Sequence, residues 1–175
     1  IYPKFSKVPI KESSLLSGQL EKTNQCYAIA KISGIKLCEA LTEDFKLDII
    51  CLMPTNVYGH NDNFHKVNGH VIPAMITKFE EAIKKKKNEK TLLGTGKPLR
   101  EFIHADDLAS AIIFSLNLKK KKIKNLFRSS MPILNIGTKE IVSIKKLSKL
   151  IAKFTGFKGK INFDKQSPDG TFKKD

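Results

Sequence analysis

The sequence predicts an α/β fold, because segments with helical periodicity alternate along the chain with short apolar runs of strand length. The clearest helical segment runs from Tyr27 to about Phe45, and an apolar run at 47–53 follows it directly. The sequence contains no internal repeat, no Gly-x-Gly-x-x-Gly motif and no P-loop. If the protein binds a nucleotide, we therefore expect its phosphate-binding loop to lie upstream of Ile1.

The first part of the chain predicts a loop, a helix, a strand and a second loop. Residues 3–24 are rich in Pro, Ser, Lys and Gly without a regular period, which predicts an ordered loop. In the helix that follows, Ile32, Ile35, Cys38, Leu41 and Phe45 are three or four residues apart, and the stripe at Ile35, Cys38 and Leu41 belongs to the core or to an interface, with the core favoured. The run at 47–53 predicts a buried parallel strand ended by Pro54, and 54–69 predicts a long loop.

The remainder of the chain continues the alternation of helices and strands. We predict helices at 71–87, 106–118 and 144–155, a strand and turn at 92–96, and strands at 100–103 and 133–137. Asp106 is expected to cap the middle helix and Ser143 the last one, which would stop at Gly156.

The composition indicates an ordinary globular protein. The 175 residues are 41% hydrophobic and 28% charged, which disfavours a disordered, collagen-like or coiled-coil chain. No apolar run reaches the roughly 18 residues that a membrane-spanning helix needs, so we expect no membrane association. Cys26, Cys38 and Cys51 lack metal-ligand spacing, which disfavours a disulfide scaffold or zinc module and favours a reducing cytoplasm.

The charge is strongly basic but comes almost entirely from lysine. Lysine and arginine total 32 against 17 Asp and Glu, a net charge of +15, and the only arginines are Arg100 and Arg128. Nucleic-acid-binding proteins usually use arginine to contact bases and aromatic side chains to stack on them. The lysine runs 84–87 and 119–122 contain no aromatic residue. We therefore favour solvated lysines and disfavour nucleic acid, with a polyanion site kept as an alternative.

Tyr27 and Lys31 stand four residues apart, and hence on one face of the predicted helix. A nearby ammonium stabilises a phenolate, which suits the phenol to protonate a carbonyl oxygen that receives a hydride. Lysine is so common in this chain that the pair alone is weak evidence. Its position strengthens it, because the helix leads into a strand whose carboxyl end, Pro54 to Val57, is where open α/β sheets bind ligands.

Four further residues have both a structural and a functional interpretation. His70 stands just before an apolar helix, where it can cap or pack against the helix, or act as a general acid. Arg100 offers a planar fork to a phosphate, or pairs with a carboxylate such as Glu101. Asp106 and Asp107 form a possible acid–base pair, but helix capping is the favoured interpretation. The histidines lack the spacing of a zinc hydrolase, so we expect no metal.

Several motifs together resemble the extended short-chain dehydrogenase/reductase family. They are Tyr2-Pro3, Tyr27-x-x-x-Lys31, Pro54-Thr55-Asn56-Val57-Tyr58-Gly59, Asp62-Asn63-Phe64-His65, His70-Val71-Ile72-Pro73-Ala74, Arg100-Glu101-Phe102-Ile103-His104-x-Asp106-Asp107 and Pro168-Asp169-Gly170-Thr171. The resemblance implies the C-terminal part of a doubly wound Rossmann-like fold plus a small α/β substrate-binding domain, without the N-terminal glycine-rich half. It assigns 1–59 to the NADP-binding domain and 60–175 mainly to the substrate domain, with some segments returning to the Rossmann core. It also implies a homodimer that uses NADP(H).

The motifs at 62–65 and 70–74 narrow the resemblance to members that convert GDP-4-keto-6-deoxy-D-mannose to GDP-L-fucose, by epimerisation at C3 and C5 and then NADPH-dependent reduction at C4. Tyr27 would then protonate the C4 oxygen, Lys31 would hold the nicotinamide ribose, and His70 would be the acid of epimerisation, close to the cofactor. The other implied cofactor contacts are Pro54, Thr55, Asn56 and Val57. The implied substrate contacts are Asn56, Lys78, Leu93, Arg100 and Asp169.

The resemblance also implies what this chain lacks and where it departs from the family. The catalytic base would be a cysteine just upstream of Ile1, so we expect the 175 residues alone to be inactive. Lys78 replaces an arginine and keeps its charge but not its bidentate fork, and Leu93 replaces a tryptophan that packs on the substrate. Another nucleotide-sugar epimerase or dehydratase of the same fold remains an alternative.

Overall fold

The computed structural model describes residues 1–118, 132–167, 169 and 173–174. All the candidate site residues lie within these ranges. The sequence features that fall outside the described residues are the lysine run 119–122, Arg128, Pro168, Gly170 and Thr171.

The described part of the chain contains four α-helices, two short 3-10 helices (Glu12–Ser14 and Lys22–Asn24) and eight strands. The helices are α1 (Gln25–Phe45), α2 (Val71–Lys84), α3 (Ala105–Leu116) and α4 (Ile144–Thr155). The strands are β1 (Cys51–Pro54), β2 (Asn56–Tyr58), β3 (Glu89–Leu93), β4 (Leu99–His104), β5 (Ile133–Ile136), β6 (Ile141–Ser143), β7 (Lys160–Asp164) and β8 (Lys173–Lys174). This order confirms the predicted α/β fold. Among the described helices, none combines the length and apolar character that crossing a bilayer demands.

The chain forms two compact units. The first contains residues 1–55 and 106–137, and it holds β1 and β5 as a parallel pair. The core of this unit, in which α1 covers the strands, contains Leu15, Ile32, Ile35 and Ile133. The predicted division into a cofactor domain and a substrate domain stays a prediction, because compactness by itself assigns no function.

The second unit contains residues 56–105 and 138–174. β2 pairs in parallel with β4, while β6 pairs antiparallel and β8 parallel with the first residues of β4. β3 and β7 form a separate parallel pair. α2 and α4 pack over the strands, and their core includes Met75, Phe79, Ala82, Leu92, Leu147, Ile151 and Phe157. Parallel pairing between strands far apart in sequence explains why helices intervene between them.

The predicted helices are present, with differences at their ends. α4 has the predicted caps, since Ser143 Oγ accepts a hydrogen bond from Lys146 N (3.1 Å) and Gly156 is left-handed (φ 79°). The prediction that Asp106 caps α3 is wrong, because the helix begins one residue earlier. Asp106 lies in the first turn instead, where its charge still favours the helix dipole. Phe45, the last of the apolar positions spaced along α1, is 68% exposed.

The predicted strands are present but incomplete. β1 begins at Cys51 rather than at 47, and the segment predicted as one loop from 54 to 69 contains β2. β6, β7 and β8 were not predicted at all. Their two to five residues each are too few to show a period, and their pairing depends on β3 and β4.

Candidate active site

Thr55 lies at the carboxyl end of β1, in the segment predicted to contact a cofactor. Its backbone N–H donates to the Ile136 carbonyl oxygen (3.0 Å), which fixes the chain beside β5. Its side-chain Oγ1 is buried and has no hydrogen-bond partner among the described residues. A buried hydroxyl without a partner costs about 1–3 kcal/mol. The strand end therefore fits a ligand that brings a polar group to this atom.

Tyr27 and Lys31 lie one turn apart on the exposed side of α1. Lys31 Nζ is 5.6 Å from the centroid of the Tyr27 ring. Tyr27 is 57% exposed, whereas Ala28 and Ile32, on another face of the helix, are buried. The ammonium is thus close to the phenol, and the phenol is accessible to a ligand. The role of the pair in proton transfer stays a prediction.

A cavity of about 310 Å³ lies in the second unit, between β2 and the start of α2. Its lining includes Asn56, Val57, His70, Ile72 and Phe102. The Asn56 side chain is held in place, since its Nδ2 donates to the Glu101 carbonyl oxygen (2.8 Å). The structure therefore brings three of the predicted site residues, Asn56, Val57 and His70, to a single cavity.

His70 is the residue immediately before α2. It occupies the N-cap position, but its side chain makes no capping hydrogen bond to the helix. Instead, its Nδ1 lies 3.5 Å from Asp62 Oδ1, and the His70 side chain is 79% exposed while that of Asp62 is 15% exposed. The imidazole is therefore accessible at the cavity and has a carboxylate beside one edge. This contact was not predicted from the sequence. The only sequence feature that pointed to Asp62 was its place in the motif at 62–65.

Lys78 and Leu93 lie on α2 and at the end of β3. Burial, and secondarily the charge of Lys90, lower the pKa of the Lys78 ammonium. A bound anion would oppose both effects. Leu93 is 67% exposed, so its apolar surface is available for contact, although it offers no aromatic ring for stacking. Substrate binding by these two residues stays a prediction.

Asp169 binds the turn between β3 and β4. Its Oδ2 accepts a hydrogen bond from Thr95 Oγ1 and its Oδ1 accepts one from Thr95 N, both 2.5 Å long. These bonds hold the pKa of the Asp169 carboxyl below its usual value, and the charges of Lys97 and Arg100 add to the effect. Arg100 Nη1 donates to the Leu99 carbonyl oxygen (2.6 Å). Two predicted substrate contacts, Arg100 and Asp169, thus interact through their charges.

A second cavity, of about 440 Å³, lies where α2 and α4 end. Its lining includes Ile83, Lys86, Lys87, Phe157, Lys158 and Lys160. If the protein bound a polyanion, this lysine-lined cavity would be the candidate binding site. Within the described ranges, no cluster of three or more His, Cys, Asp or Glu side chains is placed to hold a metal.

The sequence matches a protein-family model over residues 1–137, and the model describes the NAD dependent epimerase/dehydratase family. The chain belongs to this family. The matched range includes Tyr27, Lys31, the strand end after β1 and the cavity with His70. Membership agrees with the resemblance inferred from the motifs, and the family description names a nicotinamide cofactor.

Within the family, the chain is similar to GDP-L-fucose synthases. It is 48% identical over 174 residues to probable GDP-L-fucose synthase 1 from Oryza sativa subsp. japonica, covering 99% of this chain and 50% of the relative. It is 45% identical over 174 residues to GDP-L-fucose synthase from Escherichia coli (strain K12), covering 99% and 54%. A solved GDP-L-fucose synthetase from Naegleria fowleri bound to NADP has a TM-score of 0.84 and 27% identity, covering 99% of this chain and 53% of that one. The chain thus spans about half the length of the curated relatives it matches.

Proposed function

We propose that the full-length protein converts GDP-4-keto-6-deoxy-D-mannose to GDP-L-fucose. The steps are epimerisation at C3 and C5, followed by reduction of the C4 ketone with NADPH. The observation that carries the proposal is the cavity shared by Asn56 and His70, in a chain similar to GDP-L-fucose synthases over 174 residues. A simple ketone reductase needs one proton donor at the carbonyl oxygen. Epimerisation requires a second donor, and His70 supplies it.

Tyr27 is the proposed proton donor of the reduction. When NADPH is bound, it supplies a hydride to C4, and the C4 oxygen takes its proton from the Tyr27 hydroxyl. The positive charge of Lys31, 5.6 Å from the ring centroid, stabilises the phenolate that remains. The proposed cofactor contacts are Lys31, Pro54, Thr55, Asn56, Val57 and His70. Thr55 Oγ1, which has no hydrogen-bond partner in the described part of the chain, supports this assignment, and the NADP in the Naegleria fowleri structure supports NADPH over NADH.

His70 is the proposed acid of epimerisation. Loss of a proton beside the C4 ketone gives an enolate, and inversion requires that a new proton reach the carbon from the other face. A protonated His70 can donate that proton, and its exposed ring at the cavity supports the role. The base is proposed to be a cysteine upstream of Ile1, as the family resemblance implies. Asn56 is proposed to contact the sugar, and its hydrogen bond to Glu101 would orient its amide.

The proposed contacts to the GDP part of the substrate are Lys78, Leu93, Arg100 and Asp169. Burial and, secondarily, repulsion from Lys90 lower the Lys78 pKa, and the negative charge of the diphosphate would favour the charged ammonium. Arg100 offers a planar fork to a phosphate oxygen pair. Asp169 carries its charge next to Arg100 but already accepts two hydrogen bonds from Thr95. We therefore propose that Asp169 contributes mainly by holding the turn beside Arg100.

Three properties of the whole protein complete the proposal. The 175 residues alone are proposed to be inactive, because the relatives that carry the activity are about twice as long. A homodimer is supported by apolar side chains exposed on α1, where Ile29 is 50% and Leu37 61% exposed. A reducing cytoplasm is supported by the three cysteines, which are all unpaired.

Two alternatives make different predictions. Another NAD(P)-dependent nucleotide-sugar epimerase or dehydratase would bind the cofactor but leave GDP-4-keto-6-deoxy-mannose unchanged. A polyanion-binding protein would use the lysine-lined cavity at the ends of α2 and α4. Its binding would fall steeply with salt and ignore the sugar, whereas a GDP-sugar enzyme would discriminate between sugars at moderate salt.

The test uses the full-length protein with GDP-4-keto-6-deoxy-mannose and NADPH. We expect NADPH oxidation and GDP-L-fucose formation, and Tyr27→Phe should lower the reduction rate by about 10²–10⁴-fold. Lys146→Arg, a conservative exchange on the exposed first turn of α4, is the control and should retain the parent rate. Reduction that is unchanged by Tyr27→Phe would contradict the role assigned to this residue.

A further inference from the structure

Asp62 lies beside His70 without belonging to the proton-transfer machinery described so far. Its Oδ1 is 3.5 Å from His70 Nδ1, an ion-pair distance, and its side chain is largely buried. We propose that Asp62 is a positioning residue for His70, orienting the imidazole for proton transfer during epimerisation. This inference rests on the proposed function, which makes His70 the acid.

The loop between Asp62 and His70 is held by its own hydrogen bonds. Asp62 Oδ1 accepts from Asn63 N (2.7 Å), and Asn63 Oδ1 accepts from His65 N (3.0 Å). Gly69 N donates to the His65 carbonyl oxygen (2.7 Å). A Cβ on Gly69 would collide with the backbone oxygens of Asn63 and His65, so the loop closes this tightly only with glycine. Because the loop closes on itself, the residue before α2, His70, lies next to Asp62.

The same loop is tied to the helix that follows His70. Thr77 Oγ1 donates to the Phe64 carbonyl oxygen (2.7 Å), which joins the middle of the loop to α2. α2 is anchored in turn by Phe79, which is fully buried. Asp62 is therefore presented to His70 by a loop that is fixed at both ends and in the middle. A surface ion pair between two long, mobile side chains would lack this support.

The position of the carboxylate determines which imidazole nitrogen can deliver a proton. A carboxylate beside Nδ1 favours the tautomer that carries its proton on Nδ1. Nε2, at the opposite edge of the ring, is then the nitrogen that donates a proton to the substrate. In the transfer, the Nε2–H bond of His70 breaks and a C–H bond forms at the enolate carbon. The electron pair of the broken bond stays on Nε2, and His70 becomes neutral with a proton on Nδ1. Asp62 remains ionised throughout, as the carboxylate does in a serine-protease triad.

The first test compares Asp62→Asn with the parent in the full-length enzyme. Asparagine keeps an oxygen that can accept from Asn63 N, but it lacks the charge. We expect deuterium incorporation from heavy water at C3 and C5 to fall by about tenfold or more, up to the roughly 10²–10⁴-fold that general acid catalysis contributes as a whole. Reduction of the already epimerised 4-keto intermediate should keep its kcat and KM. Asp44→Asn, an exposed site on α1, is the matched control and should retain both activities.

A second test does not depend on activity. Nitrogen-15 NMR of labelled histidine reports which ring nitrogen of neutral His70 holds the proton. We expect the Nδ1–H form in the parent and a shift toward the Nε2–H form in Asp62→Asn. The same tautomer in both proteins would overturn the proposal.

The outcomes separate this inference from the proposed function. Unchanged deuterium incorporation in Asp62→Asn, or an equal loss of incorporation and reduction, would reject a positioning role for Asp62. A folded parent that never incorporates deuterium would reject the proposed epimerisation instead. In that case the NMR measurement still decides whether Asp62 controls the His70 tautomer.

Discussion

Lys78 stands where the family resemblance implies an arginine. Its surroundings affect its charge, which an arginine in the same place would keep. Burial and the nearby Lys90 lower the pKa of its ammonium, so it loses its charge at a lower pH than an ordinary lysine. An arginine at this position would stay charged at any accessible pH and would offer two parallel donors. The affinity for a diphosphate should therefore fall as the pH rises through the lowered Lys78 pKa.

We expect Lys78→Arg in the full-length enzyme to remove this dependence. At alkaline pH the variant should have a KM for the GDP-sugar several-fold below that of the parent, because charged bidentate bonds are roughly twice as strong as neutral ones. The kcat should change little. The measurement is KM across the neutral to alkaline range, with Lys145→Arg on α4 as the control. A parallel pH dependence in parent and variant would exclude Lys78 as the residue responsible.

At the scale of elements, the turn after β3 depends on a contact with a distant part of the chain. Gly94 and Gly96 have positive φ values of 82° and 73°. A Cβ on Gly94 would lie 2.5 Å from Asp169 Oδ1, so the glycine allows the carboxylate to approach the turn. The two bonds from Thr95 to Asp169 then hold the turn closed beside Arg100.

Asp169→Ala should open this turn. Amide hydrogen exchange at residue 95 should become faster in the full-length protein, because its N–H loses its acceptor, whereas Thr95→Ser should retain the protection. The Asp169 pKa lies below its usual value, so its contribution to stability is present above about pH 3.9. That contribution is lost as the pH falls through the lowered pKa of the folded protein. Equal exchange in parent and alanine variant would show that the carboxylate does not hold the turn.

The sequence predicts those elements whose signals are local. α1 and α4 follow from apolar spacing, and the Ser143 and Gly156 caps follow from residue type. The short strands β2, β6, β7 and β8 could not be predicted, because their positions depend on partners such as Ile103 opposite Val57. Tyr27 and Lys31 could be paired from their spacing alone. The contact of Asp62 with His70 could not, because it depends on how the intervening loop closes.

At the scale of the whole molecule, the proposed chemistry is divided between the two compact units. The first contains Tyr27 and Lys31, and the second contains the cavity with His70 and the Arg100 neighbourhood. The chain spans about half the length of its curated relatives. The activity therefore has to be measured on the full-length protein.

The most direct measurement of the central claim follows hydrogen exchange and reduction separately. The full-length protein is mixed with GDP-4-keto-6-deoxy-mannose in heavy water, first without NADPH and then with it. Mass spectrometry follows deuterium at C3 and C5, and absorbance follows NADPH oxidation. Our account predicts deuterium uptake before NADPH is added and oxidation only afterwards. A folded protein that shows neither signal would contradict it and would favour a different nucleotide-sugar enzyme or a binding protein.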